Sequence, residues 1–158
     1  MPPSASTRVA LRFDEAFHPG FLAHGQAVRL IDVTADVRLR TPQGWSKSRG
    51  AILDTGCQVT LLPRWIWSGI TFRDLGLPAE MIAVVGVQVP ARLAEVECRL
   101  VDAAAISPTL VMRAFLCESD DVPALLGVED FLTQCVFVCD HAAGQAYVDF
   151  PQAKEPAT

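Results

Sequence analysis

A surplus of positive charge is missing from this sequence. Its 13 lysines and arginines are outnumbered by 18 aspartates and glutamates, for a net charge of −5. Binding a phosphate backbone needs a basic stripe, so no nucleic-acid partner is expected. Long apolar runs are missing too. The longest, residues 82–87, falls far short of the roughly 20 that cross a bilayer as a helix. Residues 1–8 hold no apolar region of signal-peptide type, so the expectation is a soluble, cytoplasmic protein with no membrane association. The five cysteines (Cys57, Cys98, Cys117, Cys135 and Cys139) include no CxxC pair. An odd count in that setting favours free thiols over a disulfide framework. Cys135 and Cys139 lie near His141, yet they flank the apolar run Val136-Phe137-Val138, where cysteine packs as a small hydrophobe. Zinc takes four ligands at tighter spacing, so no metal is expected. His18, His24 and His141 fall in loop-like segments and receive no role.

What is present is apolar material. Hydrophobic residues make up 51% of 158, enough for one core in one domain of about the usual 150 residues. Most of it alternates. Ile31, Val33, Ala35, Val37 and Leu39 interleave with Asp32, Thr34, Asp36, Arg38 and Arg40, a period of two that sets one face on a core and the other in water. Thr41-Pro42-Gln43-Gly44 reads as a turn returning residues 45–53 as the second arm of a hairpin. Ala94, Val96, Cys98 and Leu100 alternate with Glu95, Glu97 and Arg99. Residues 110–116 and 136–139 are nearly all apolar and read as strands covered on both faces. Residues 145–150 form a last strand. Short helices are predicted after Pro63, through Trp65 and Trp67, and after Glu129 or Asp130. Residues 1–27 read as an N-terminal extension or irregular segment, 28–150 as the domain, and 151–158 as a flexible tail. The class is mostly β with one or two short helices. Arg38, Arg40, Lys47 and Arg49 read as a solvated strand face, and Trp65 and Trp67 as core beneath a short helix.

The chemistry-bearing segment is Ala51-Ile52-Leu53-Asp54-Thr55-Gly56-Cys57-Gln58-Val59-Thr60-Leu61-Leu62. An apolar strand runs into Asp-Thr-Gly and a second apolar run leaves it. A carboxylate at the end of a buried strand is placed where desolvation and a like-charged neighbour act on its ionisation. Gly56 lets the backbone turn sharply, and Thr55 can brace the loop by hydrogen bonding. About 70 residues on comes Ala124-Leu125-Leu126-Gly127-Val128-Glu129-Asp130-Phe131. At these two motifs the chain resembles the retroviral-type (retropepsin-like) aspartic proteases, in particular the small single-domain bacterial forms. The resemblance covers roughly residues 31–150.

The resemblance implies a single-lobe, pepsin/retropepsin-like closed β-barrel in which Asp54 is the catalytic carboxylate, Thr55 and Gly56 shape its loop, and Leu125, Leu126 and Gly127 pass behind it. Residues 81–91 then correspond to the flap, with Val85, Gly86 and Val87 on the substrate. Gln58, just beyond the turn, is the expected contact to substrate backbone. Three features depart from the family pattern: Cys57 follows the glycine where Ala or Ser is usual, Val128 follows Gly127 with Asp130 one residue late, and the flap has Gly86 with no second glycine beside it. The mechanism needs two carboxylates sharing one proton, a pairing of which this protease class is itself a standard illustration. Only one Asp-Thr-Gly occurs in the chain, so the second carboxylate is expected from Asp54 of another copy, in a homodimer with the site on its axis. A polypeptide substrate is implied, and no cofactor, because the nucleophile is water. Residues 145–150 are the expected interface strand, as a sheet edge near the chain end. Two rival readings stand beside this one. The same fold can serve as a dimerisation or peptide-binding module without turnover, or Cys57 can act as a thiol nucleophile.

Overall fold

The computed structural model describes residues 6–77, 80–84 and 86–151. It is mostly β, with 55% strand against 8% helix. Twelve strands follow one another along the chain: β1 (Thr7–Phe17), β2 (Arg29–Thr41), β3 (Gly44–Trp45), β4 (Arg49–Leu53), β5 (Thr60–Leu62), β6 (Phe72–Asp74), β7 (Glu80–Val84), β8 (Val87–Val101), β9 (Leu110–Cys117), β10 (Leu125–Leu126), β11 (Val136–Asp140) and β12 (Gln145–Phe150). Two single-turn helices, α1 (Pro19–Leu22) and α2 (Arg64–Trp67), and a 3-10 turn at Leu132–Gln134 complete it.

Six strands close into a barrel. Their order is β2-β4-β10-β5-β9-β8, and β8 returns to β2 with Val37 opposite Leu100 and Leu39 opposite Cys98. Closure removes open edges and concentrates the apolar faces on one interior. Ala35, Val37, Leu39, Ala94, Val96, Cys98, Leu100, Met112, Leu116, Leu126 and Phe131 fill it. Their alternation along β2 and β8 is the one read from the sequence. Thr34 departs from it. Although on the polar face of β2, it is buried, because β2 is flanked there by β1 on one side (Arg12 opposite Thr34) and β4 on the other (Thr34 opposite Ile52). The long β8 joins two parts of the fold: its first residues pair with β7 in a hairpin, and its remainder lines the barrel against β9 and β2.

Five readings of the sequence are corrected, the last at Trp65. Residues 1–27 are not simply an irregular extension. Thr7–Phe17 is a strand whose first half pairs with β12 and whose second half pairs with β2. Val9, Leu11 and Phe13 carry the alternation that identifies it, and Val9 and Leu11 are buried. The run Leu110–Cys117 is not covered on both faces. Val111 and Arg113 face water while Leu110, Met112, Ala114 and Leu116 face the core. Val136–Asp140 is not covered on both faces either, because it is the outermost strand of its sheet and Val136 is 59% exposed. Gln145–Phe150 is no edge. It lies between β11 and β1, with Val148 paired to Phe137 on one side and Val9 on the other. Of the two tryptophans, Trp67 packs against the core and donates its indole N–H to the Cys117 carbonyl at 2.7 Å. Trp65 is largely exposed beneath the Arg49 guanidinium. Arg40 pairs with Glu97 at 2.9 Å and stacks over Trp45.

Candidate active site

β4 ends at Leu53, and the chain then turns through Asp54, Thr55 and Gly56. What holds the turn is β10. Leu125 and Leu126 run parallel to Ile52 and Leu53, and the Asp54 amide donates to the Leu126 carbonyl at 3.0 Å. Within the turn the Cys57 amide closes onto the Asp54 carbonyl at 3.1 Å. The Gly56 amide donates to Asp54 Oδ1 at 2.8 Å and fixes that carboxylate oxygen. A Cβ on Gly56 would stand 3.2 Å from the same Oδ1, so a side chain there would press on the carboxylate, although the backbone itself is not left-handed. The other Asp54 oxygen has no hydrogen bond among the described residues.

The second motif clamps the far side of the loop. Val128 and Glu129 donate their amides to the carbonyls of Cys57 (2.9 Å) and Gln58 (2.8 Å). Gly127 donates to Thr60 Oγ1 at 3.1 Å, and a Cβ there would lie 2.7 Å from the Val59 carbonyl carbon and 2.9 Å from the Cys57 oxygen. Thr60, fully buried, is a residue sequence reasoning missed. Its hydroxyl receives the Gly127 amide behind the turn and contacts Met112 Sδ. The available signal was its being the one polar residue in Val59-Thr60-Leu61-Leu62. Asp130 adopts a positive φ of 64°, which an aspartate tolerates at modest cost. In that conformation it meets Arg113 of β9, which also reaches Glu129 at 3.0 Å. Arg113 thereby ties the 128–130 turn to the barrel and holds the Asp130 carboxyl below its ordinary pKa.

Thr55 is exposed, and among the described residues no hydrogen bond holds its hydroxyl; the amides of Val128 and Glu129 brace the loop instead. Gln58 is exposed next to the turn. Cys57 is half-buried, and its thiol donates to the Val59 carbonyl at 2.9 Å. Burial and then the Asp54 charge push that thiol up, which disfavours the thiolate a cysteine nucleophile needs. All five cysteines are free.

Asp54 and Thr55 open onto a cleft of about 410 Å³. Its walls are apolar, from Ile31, Val33, Leu125 and Phe137, and its polar lining adds Asp32 and His141, neither anticipated from sequence. Asp32 sits on the exposed face of β2, and His141 follows the edge strand β11, so only strand pairing along β11-β12-β1-β2-β4 brings them to the same cleft as Asp54. The His141 ring lies edge-on to Phe13, and its Nε2 is 3.4 Å from Cys139 Sγ. Among the described residues no group of three or more His, Cys, Asp or Glu side chains is placed to share a metal ion.

The β7–β8 hairpin packs on the same neighbourhood. Val84 and Val89 are buried in a small cluster with Leu61, Cys117 and Val122, against which Cys57, Ile82 and Leu125 also pack. Gly86, at φ 78°, makes the hairpin turn, and Val87 is exposed. Val85 lies outside the described residues. No protein-family model matches the chain, and no curated protein is significantly similar to it.

Proposed function

We propose that the protein is an aspartic-type endopeptidase acting as a two-fold homodimer, in which Asp54 of each copy supplies one carboxylate of the catalytic pair. The observation that carries this is the support of Asp54. One carboxylate oxygen is fixed by the Gly56 amide, the backbone is held by Leu126, and no side chain fits at Gly127 behind the loop. A solvent turn needs none of that rigidity, whereas positioning a reacting water does.

Two such carboxylates held close share one proton, because both cannot ionise together. The ionised member takes a proton from the bound water as it attacks the scissile carbonyl. The protonated member hydrogen-bonds the carbonyl oxygen and passes a proton on toward the leaving amine. The β7–β8 hairpin covers the peptide from the side of Leu61 and Cys57, with Gly86 and Val87 at its turn. Gln58 lies beside the extended peptide backbone. Neither metal nor cofactor enters this chemistry, and a cytoplasmic location goes with it. No helix among the described residues is long and apolar enough to cross a membrane.

The test is cleavage of a mixed peptide library by the purified full chain and by Asp54→Asn, which keeps the shape of the side chain and loses its ionisation. Hydrolysis by the wild type and its loss, by about 10³-fold or more, in the variant is expected, with unchanged circular dichroism. Cleavage undiminished in Asp54→Asn would overturn the mechanism. Peptide binding without cleavage by either protein would leave the fold as a peptide-binding module.

A further inference from the structure

Beyond the barrel, the second half of β1 and the start of β2 continue as a two-stranded arm, paired from Arg12–Thr34 out to Phe17–Arg29. α1 sits at its end with no buried residue. Phe17, Phe21, Leu22, Val28 and Leu30 are 42–53% exposed, and they are five of the eleven large hydrophobic side chains exposed among the described residues. Phe17 pairs with Arg29 and Leu30 with Ala16, so the two side chains point to opposite faces of the ribbon. Both faces of the tip are therefore apolar. A two-stranded ribbon on its own is marginal in water, and an apolar patch of this kind on a projecting element marks a covered surface.

We propose that this arm is the surface on which a second copy of the chain docks, each copy clasping the other, and that this contact completes the Asp54 site. The inference rests on the reading of Asp54 as half of a shared carboxylate pair. Two observations select a second copy as the occupant. The arm runs directly into Ile31, Asp32 and Val33, which line the Asp54 cleft, so a copy seated on the arm stands beside the open half-site. The arm's tip is neutral: residues 15–31 carry one charge of each sign, Glu15 and Arg29, 3.3 Å apart. In a chain of net charge −5 this neutral region is one where two identical molecules meet without net repulsion. Such a contact is isologous, the same patch on both copies, and closes at two chains. Gln145–Phe150 is paired on both sides and offers no such edge.

Sedimentation equilibrium of the full chain tests this, comparing wild type with the triple variant Phe17→Ser, Phe21→Ser and Leu22→Ser. All three positions are exposed, so the barrel should keep its circular dichroism and melting temperature. A second variant, Phe21→Lys, serves if the triple variant misfolds. A wild-type dimer whose dissociation constant rises by about tenfold or more in the arm variants is expected, since each variant removes apolar surface from the contact. Val136→Lys, on the exposed edge of β11, should dimerise as wild type does. A monomeric wild type, unchanged affinity in the arm variants, or loss of the dimer in Val136→Lys alone would overturn the arm. The two readings fail separately. An arm-dependent dimer that cleaves nothing sinks the protease and keeps the interface. Asp54-dependent cleavage by arm variants that remain dimeric does the reverse.

Discussion

Asp54 has one oxygen fixed by the Gly56 amide and its other side turned to a cleft that also holds Asp32. Those two carboxylates pose a question at the scale of single residues. If the catalytic pair is built from two copies of Asp54, Asp32→Asn should retain most peptide cleavage while the protein remains dimeric. Loss of cleavage in a protein that sediments as a monomer would instead place both carboxylates in one chain. Gly127 is the most tightly enclosed glycine among the described residues, because a Cβ there would lie 2.7–2.9 Å from backbone atoms of Val59, Cys57 and Thr60. The atoms in the way are backbone, which cannot rotate aside. Gly127→Val should therefore destabilise by well over the roughly 1 kcal/mol typical of a point substitution, read as a lowered urea midpoint. An unaltered midpoint would mean that the loop and β10 separate easily.

Among the elements, β1 is held along its length, by β12 over its first half and β2 over its second, and is also tied to the end of β8. The Asp102 carboxylate accepts the Ala10 amide at 2.6 Å and those of Ala104 and Ala105 at 2.6 and 2.7 Å. These bonds, the one from Ala10 foremost, hold the Asp102 pKa below the ordinary carboxylate value. Arg8 does the same for Asp149 across the β1–β12 pair. A folded-state pKa below the unfolded one adds stability that is present above the unfolded value, about 3.9, and is lost as pH falls through the lower folded value. Asp102→Asn should accordingly lower the melting temperature at neutral pH and flatten its decline below about pH 4. Equal acid sensitivity in variant and wild type would show that this carboxylate does not fasten β1. The pairing of β12 on both sides also changes what truncation does. Removing it strips a partner from β1 and from β11, so a chain ending before Gln145 should lose its fold rather than only its self-association.

For the whole molecule the proposed chemistry sets one Asp-Thr-Gly per chain against a need for two carboxylates. Specific activity should therefore fall on dilution through the dimer dissociation constant. Mixing wild type with excess Asp54→Asn should depress it further, because each mixed dimer holds a single ionisable carboxylate. Activity that stays proportional to the wild-type protein added, with subunit exchange shown by mass-tagged copies, would rule out a shared site.

The sequence by itself determined the class, and for a local reason: a strict alternation of apolar and polar residues leaves a strand only one face to bury. Alternation in residues 31–40 and 94–100, with turn chemistry at Thr41 to Gly44, was enough for a mostly β chain, and Asp54 stood out because its turn is flanked by apolar runs. Strand β1 carried the same signal in Val9, Leu11 and Phe13, but Asp14, Glu15 and the His18-Pro19-Gly20 break obscured it. Tertiary structure decided the rest, because which strands neighbour one another depends on pairing across the whole chain. That pairing closed β8 onto β2 and set Leu125 and Leu126 beside Ile52 and Leu53. It placed Thr60 under Gly127, drew Asp32 and His141 to the rim of the Asp54 cleft, and turned the last strand from an edge into an interior one. Each of these contacts joins residues far apart in sequence, where no periodicity or spacing records which surface meets which.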